Sequence, residues 1–320
     1  MIAEKSPLVS VIIPIHNRFA LIDESVQSVF EQTHRPIKLI LVDDHSDIPY
    51  TPKISTQPGF DVKVFRHEEN KGPGASRETG RQAASGEYIA YLDSDDLWHP
   101  HKLEKQVAML KAHPEAGMCY CISNEFSQLP LNGNELIRKR SDQEFKDFLP
   151  TIFYGRPWDT SACLWTRKAT DKIGPWLNAW TWEDHEYECR AGCRDIQIAH
   201  IPEVLCFYRS NHGESQLSQT TYSEKLVKIT ESILQMNSNL KSSNKINIIE
   251  VHDQFIKILF FHALHLFNVD KKSLGLRMLK EVIRISKGFR KILSFKIYLL
   301  SPFLRSTQLG HLANKFRKIF

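Results

Sequence analysis

Three carboxylates within four residues, Asp93, Asp95 and Asp96, stand at the end of the apolar run Tyr88-Ile-Ala-Tyr-Leu92. Like charges that close raise one another's pKa and cost stability unless something positive meets them. Hard divalent cations take carboxylate oxygens, so one reading is a metal-dependent site for a phosphate-bearing substrate at a strand end. The other is an acidic turn, with Asp96 as the N-cap of a helix from Pro100 to Leu110. The stretch alone does not choose between them. Two more acidic groups could join it: Asp43-Asp44, directly after the apolar run Ile37–Val42, and Glu183-Asp184, after a segment holding Trp176, Trp180 and Trp182.

These groups need elements that bring them together. Pro7–Pro14 is a near-continuous apolar run and predicts a buried strand of a parallel sheet. Leu21, Ile22, Ser25, Val26, Val29 and Phe30 share one face of a following helix. Strands are predicted at 37–42 and 62–65. The glycine-containing loop Asn70–Arg77 opens a helix through Ala84, and Ser85-Gly86 ends it. Strand and helix therefore alternate over residues 8–112. That is the pattern of an open α/β sheet, whose ligands bind outside the carboxyl ends of the strands. Three polar loops fall there: His16-Asn17-Arg18, Asp43-Asp44 and Asp93–Asp96. Further strands are expected at 117–125, 159–165 and 204–208, with a surface loop over 127–140. A helix is expected to start at Trp182, with Glu183 and Asp184 in its first turn, where the helix dipole favours anions.

Apolar content of 42% and charged content of 25% are those of a globular chain. The net charge of +5 hides an asymmetry. Residues 221–320 carry 18 Lys/Arg against 6 Asp/Glu, which leaves 24 against 31 for residues 1–220. Two functional parts are expected: an acidic body over 1–220 and a basic helical region over 221–320. The six cysteines match no zinc spacing or disulfide framework, and are expected to be reduced in a cytoplasmic protein. No signal peptide and no apolar run of about 18 residues is found.

Five stretches, in this order, resemble family-2 glycosyltransferases: Val9-Ser-Val-Ile-Ile-Pro14, Val42-Asp-Asp-His-Ser46, Asn70-Lys-Gly with Ala75-Ser-Arg77, Gly86 to Asp96, and Trp182-Glu-Asp184. The resemblance covers roughly residues 7–218. It implies the GT-A fold, a Rossmann-like open mixed sheet flanked by helices, here with a C-terminal helical extension. It also implies an inverting transferase that uses a nucleotide-diphosphate sugar, UDP-linked by preference, and Mg²⁺ or Mn²⁺. Asp44 would contact the base, in a pocket lined by Pro14, His16 and Arg18. His45 stands where the family usually has Gly. Asp93 would serve the ribose or the metal shell, Asp95 would ligate the metal directly, and His212, in Tyr208-Arg-Ser-Asn-His212, would help hold the metal or the diphosphate. Arg77 would balance the acids or reach a phosphate. Asp184 would be the catalytic base, with Glu183 and Trp182 toward the acceptor.

Each role has a structural counterpart: an Asx-turn for Asp44, a surface ion pair for Arg77, core packing for the tryptophans, a solvated loop for His16 and His212. The function expected is hexosyl or N-acetylhexosaminyl transfer to a glycan or lipid-linked acceptor in surface polysaccharide assembly. The rival is a catalytically silent nucleotide-sugar-binding protein of the same fold. Lys287–Phe320 holds eight Lys/Arg and no acid, interleaved with Leu, Ile and Phe. It would either lie on an anionic membrane at the inner face or pack as a subdomain with a solvated basic face. No module that reads nucleic acid accompanies the charge.

Overall fold

β1 (Val9–Ile15) is buried along almost its whole length, as its unbroken apolar run requires. It lies between two parallel neighbours, β2 (Ile37–Asp43) and β4 (Tyr88–Tyr91), with Ile15 opposite Asp43 and Ile12 opposite Tyr91. β3 (Phe60–Arg66) continues the parallel set outside β2. It is largely exposed and carries Lys63 and Arg66, charges that discourage further strand pairing. The computed structural model describes residues 6–18, 20–131, 133, 135–210, 221–300, 305, 306, 308, 309 and 311.

α1 (Ile22–Phe30) and α2 (Pro73–Ala83) cover the parallel strands, and α1 buries Ile22, Val26 and Val29 as its periodicity predicts. α2 sits close against β1: a Cβ on Gly80 would come within 2.3 Å of Ile12 Cγ2. The chain continues through β5 (Leu97–Trp98), α3 (Lys102–Ala112), β6 (Ala116–Phe126) and β7 (Leu136–Ile137). β8 (Cys163–Thr166), α4 (Arg167–Ile173), α5 (Glu183–Cys193) and β9 (Gln197–Arg209) follow. β8 pairs antiparallel with both β4 and β6, and β9 runs parallel to β6, so the sheet is mixed, in the order β3-β2-β1-β4-β8-β6-β9-β5. Its core gathers Val11, Ile13, Leu39, Leu41, Leu92, Leu103, Leu164 and Leu205.

The expected elements need four adjustments. Asp96 caps no helix: α3 begins at Lys102 after His101, and the Asp96 carboxylate is buried beneath the loop. Thr160–Ala162 form a 3₁₀ turn before β8 rather than part of a strand. The strand expected at 204–208 is the end of the longer β9, and the loop over 127–140 contains the short β7. Cys119, Cys121, Cys163, Cys189 and Cys206 are buried thiols, none in a disulfide.

The chain divides into two units, Met1–Gln216 and Leu217–Phe320. The second is helical: α6 (Tyr222–Ser242), α7 (Ile249–Asn268), α8 (Lys272–Ile285) and α9 (Gly288–Leu300). A capping box of Thr221 and Glu224 starts α6. Ile233, Met236, Phe255, Leu259, Phe267, Met278 and Val282 form its buried centre. Among the described residues, no helix is long and apolar enough to cross a membrane.

Candidate active site

Because β1, β2 and β4 are parallel and in register, their carboxyl ends share one edge of the sheet, and three polar loops meet there. Asp43 closes the turn after β2: Oδ1 accepts the Ser46 N–H at 2.8 Å and Oδ2 the Tyr50 N–H at 3.1 Å, with Arg66 also on Oδ2. Burial works against its charge, but these donors overcome it and hold the carboxyl below its usual range. His45 adopts φ +61°, the left-handed region a glycine would enter without strain.

Asp44 points the other way. Oδ1 accepts the Lys71 N–H at 2.9 Å and the His67 Nδ1–H at 2.6 Å, and Oδ2 accepts the Gly72 N–H at 2.7 Å. Its side chain is 4% exposed. Asp44 therefore anchors the loop that opens α2, and a base N–H would have to use its remaining lone pairs. Gly72 has φ +88°, and a Cβ there would sit 3.2 Å from the Trp180 ring. The exposed His16 bonds the Asp44 carbonyl through Nδ1 at 2.9 Å, so Nδ1 carries the proton and Nε2 accepts from Asn70 at 2.9 Å. Pro14 is half-buried near the end of β1, opposite Val42.

A second group joins strand β4 to helix α5. Arg77, buried on α2, donates to Asp93 Oδ1 at 2.7 Å and to Glu183 Oε1 at 2.5 Å, with its guanidinium 5.2 Å from the Trp176 ring centre. Burial pulls the Arg77 pKa down, but the charges of Asp93, Glu183 and Asp184 raise it overall. Glu183 is pushed up by burial, against the pull of Arg77. Trp182 sits just before α5 at φ +60°, half-buried, with its ring stacked on His185 at 4.6 Å. A large side chain in that region is strained and persists only where its surroundings hold it. Trp176 is core, stacked on Tyr187 at 4.1 Å.

Asp184 follows in the first turn of α5. Arg156 donates to its Oδ2 at 2.6 Å, while Nε and Nη2 of the same guanidinium form a fork on Glu188 at 2.8 and 2.7 Å. His185 donates to Oδ1 through its backbone N–H at 2.7 Å, and its ring Nδ1 lies 3.0 Å from the same oxygen. Burial alone would raise the Asp184 pKa. Arg156 first, then His185 and Arg77, hold it well below the usual carboxylate range. The side chain keeps 21% of its surface open.

The third group is the acidic turn. Asp95 lies 3.4 Å from Arg18 and is 17% exposed; Asp93 is 35% exposed. Asp96 accepts from Ser161 Oγ at 2.6 Å and from the Arg209 N–H at 3.1 Å. Burial, then the charges of Asp95 and Asp93, raise its pKa well above normal. Beside it Asp93 and Asp95 keep part of their surface open, each paired with one arginine, Arg77 and Arg18. Among the described residues no cluster holds three His, Cys, Asp or Glu in metal-binding array. Mg²⁺ needs only one or two carboxylates when phosphate oxygens complete its shell, so Asp93 and Asp95 fit a cation that arrives with a diphosphate. His212 lies outside the described residues.

Sequence reasoning missed Arg156, His67, Ser161 and Arg209. One signal pointed to Arg156: Asp184 and Glu188 are four apart on one helix, like charges that need a cation. Arg156 sits alone in the loop Gly155-Arg-Pro157 and carries no motif.

The profile described as Glycosyl transferase family 2 matches residues 10–173, just over half of the chain. A beta-1,3-glucosyltransferase of Escherichia coli, WfgD, named as acting with UDP-Glc on alpha-D-GlcNAc-diphosphoundecaprenol, is 38% identical over 103 residues, 32% of this chain and 41% of WfgD. Other glycosyltransferase relatives are matched over only 15–17% of their own length. Staphylococcus aureus TarS 1-349, solved with UDP-GlcNAc, superimposes with a TM-score of 0.68 at 16% identity, over 97% of this chain and 91% of that one. The mannosyltransferase PcManGT of Pyrobaculum calidifontis, solved with GDP-Man and Mn²⁺, gives 0.53 at 14% identity, over 98% and 88%. The open mixed sheet, its acidic turn and the profile match together make this chain a member of glycosyl transferase family 2, with the GT-A fold.

Proposed function

We propose that the chain is an inverting glycosyltransferase that moves a sugar from a nucleotide-diphosphate sugar to a hydroxyl of a glycan or lipid-linked acceptor, in surface polysaccharide assembly. The observation that carries this reading is the state of Asp184, an ionised, partly open carboxylate at the start of α5, fixed by Arg156 and joined through the Glu183–Arg77–Asp93 chain to the acidic turn. An ionised carboxylate takes the proton of the acceptor hydroxyl as its oxygen attacks the anomeric carbon. Arg156 makes Asp184 a weak base, so proton transfer comes late, once the new C–O bond has made the hydroxyl acidic. Inversion requires that base on the face opposite the leaving diphosphate.

Asp95 and Asp93 would hold Mg²⁺ or Mn²⁺; the cation, when bound, neutralises charge on the departing diphosphate. Arg77 and Arg18 pair with those carboxylates and orient them. Asp44, His16, Pro14 and Arg18 would line the base pocket, and Glu183 and Trp182 would meet the acceptor. The UDP-GlcNAc bound to TarS supports a UDP-sugar, and the diphosphate-linked lipid in the name of WfgD supports a lipid-linked acceptor. In this reading residues 1–220 carry catalysis, and residues 221–320 set the chain beside a lipid-borne acceptor at the inner face of the membrane.

The test is release of nucleotide diphosphate from a panel of nucleotide sugars with Mn²⁺ and acceptor extract. Release with one donor and not others supports the transferase. Donor binding without any release favours the silent binding protein. Asp95→Ala is expected to lower turnover by roughly 10²-fold and to abolish its response to added Mn²⁺; an unchanged metal response would remove Asp95 from the ligand set.

A further inference from the structure

The last fully described helix, α9, is apolar on two sides. Its inner side buries Leu293 and Ile297 and packs on α8. Its outer side leaves Ile292, Phe295, Leu299 and Leu300 between 44% and 53% exposed. Ile292, Phe295 and Leu299 recur at intervals of three and four and form one stripe along the helix, with Leu300 next to its end. An isolated exposed leucine needs no explanation, but four large apolar side chains on one short helix do. Lys291 and Lys296 are exposed beside the stripe, and α9 contains no acid.

Elsewhere in the helical unit, the start of α7 and the start of α9 flank an open cleft of about 520 Å³, lined by Ile246, Asn247, Ile249, His252, Asp253, Lys287 and Arg290. Ile249 is 81% exposed at this cleft. Arg290 also pairs with Asp253, at 2.8 Å. Apolar stripe and basic rim thus lie in one helical unit.

We propose that the outer face of α9 seats the chain on an anionic lipid bilayer. Ile292, Phe295, Leu299 and Leu300 enter the acyl boundary, and Lys291 and Lys296 meet lipid phosphates. Lysine stems lie along the apolar surface while their ammonium groups stay at headgroup level. Thirteen residues span about 20 Å, too short to cross the hydrocarbon core, so the helix lies in the interface. Charge selects this occupant over a second copy of the chain: two basic faces of this kind repel each other, whereas an anionic leaflet attracts them. The inference deepens the peripheral placement proposed above. It does not depend on glycosyl transfer, so its failure leaves the transferase reading intact.

Flotation of the full chain with vesicles tests it. The chain is expected to float with vesicles of phosphatidylcholine and phosphatidylglycerol, to stay behind with phosphatidylcholine alone, and to be released by salt. Lys291→Gln with Lys296→Gln should weaken partitioning roughly thirtyfold, since each basic residue near an anionic leaflet contributes about a factor of five. Ile292→Ser with Phe295→Ser should abolish it. All four side chains are exposed, so circular dichroism and diphosphate release on a soluble acceptor should not change. No flotation, equal binding to neutral vesicles, or binding that survives both variants would overturn the proposal. So would a dimer in solution that Ile292→Ser with Phe295→Ser dissolves, because the face would then belong to a second copy.

Discussion

Asp184→Asn is expected to cut glycosyl transfer by about 10²–10⁴-fold while leaving donor affinity unchanged. Asparagine keeps the size of the side chain, but its single oxygen can meet Arg156, now on Oδ2, or His185, now on Oδ1, and not both; neither partner is among the residues proposed to hold the donor, so the loss should fall on turnover. Glu183 cannot replace the missing base. It is buried, held by Arg77 at 2.5 Å, and pushed by burial toward its neutral form. Diphosphate release and donor affinity, measured on the same preparation, read this directly. Transfer that persists would move the base elsewhere; loss of donor affinity in parallel with turnover would make Asp184 a binding residue.

Arg156→Gln should do two things at once. It removes the only guanidinium among the described residues that bonds both Glu188 and Asp184. Glu188 is almost fully buried, and stranding one partner of a buried ion pair costs about 3–5 kcal/mol, so the melting temperature should fall markedly. The second effect is on pH dependence. Asp184 is faced by Arg156, His185, Arg77 and Glu183, and its pKa is depressed, with Arg156 the largest opposing influence. A depressed carboxyl contributes stability above its unfolded pKa, and that stability is lost as pH falls through the folded value. In the wild type the acid limb of kcat/KM from Asp184 should therefore lie below the ordinary carboxylate range. Without Arg156, burial weighs more heavily and the limb should move to higher pH. Arg156→Lys keeps the charge but not the fork, and should be intermediate in both measurements. A profile unmoved by Arg156→Gln would mean that Arg156 serves only the fold.

The parallel half of the sheet was legible because it is local: apolar runs mark β1, β2 and β4, and the loops after them carry the polar residues. The mixed half was less so. β8 follows a 3₁₀ turn, and β9 extends well before its apolar core, because both are defined by pairing with distant strands rather than by their own periodicity. Asp96 illustrates how tertiary contacts decide a role. Its spacing suited a helix cap, yet Ser161 and the Arg209 N–H draw its carboxylate inward. Asp44 stood out by its place at the end of an apolar run, but its three donors come from the loop at 67–72, and nothing within β2 announces them. Arg77 lay within a recognised stretch. Arg156 did not, since its partners lie about thirty residues later on α5.

The central claim is displacement with inversion, driven by a base on the face opposite the leaving diphosphate. The anomeric configuration of the product, read by proton NMR after transfer from an α-linked nucleotide sugar, tests it most directly. A β-linked product is predicted. An α-linked product would contradict the account, because it would require the attacking oxygen and the diphosphate to share one face of the sugar, or two successive displacements through a covalent intermediate.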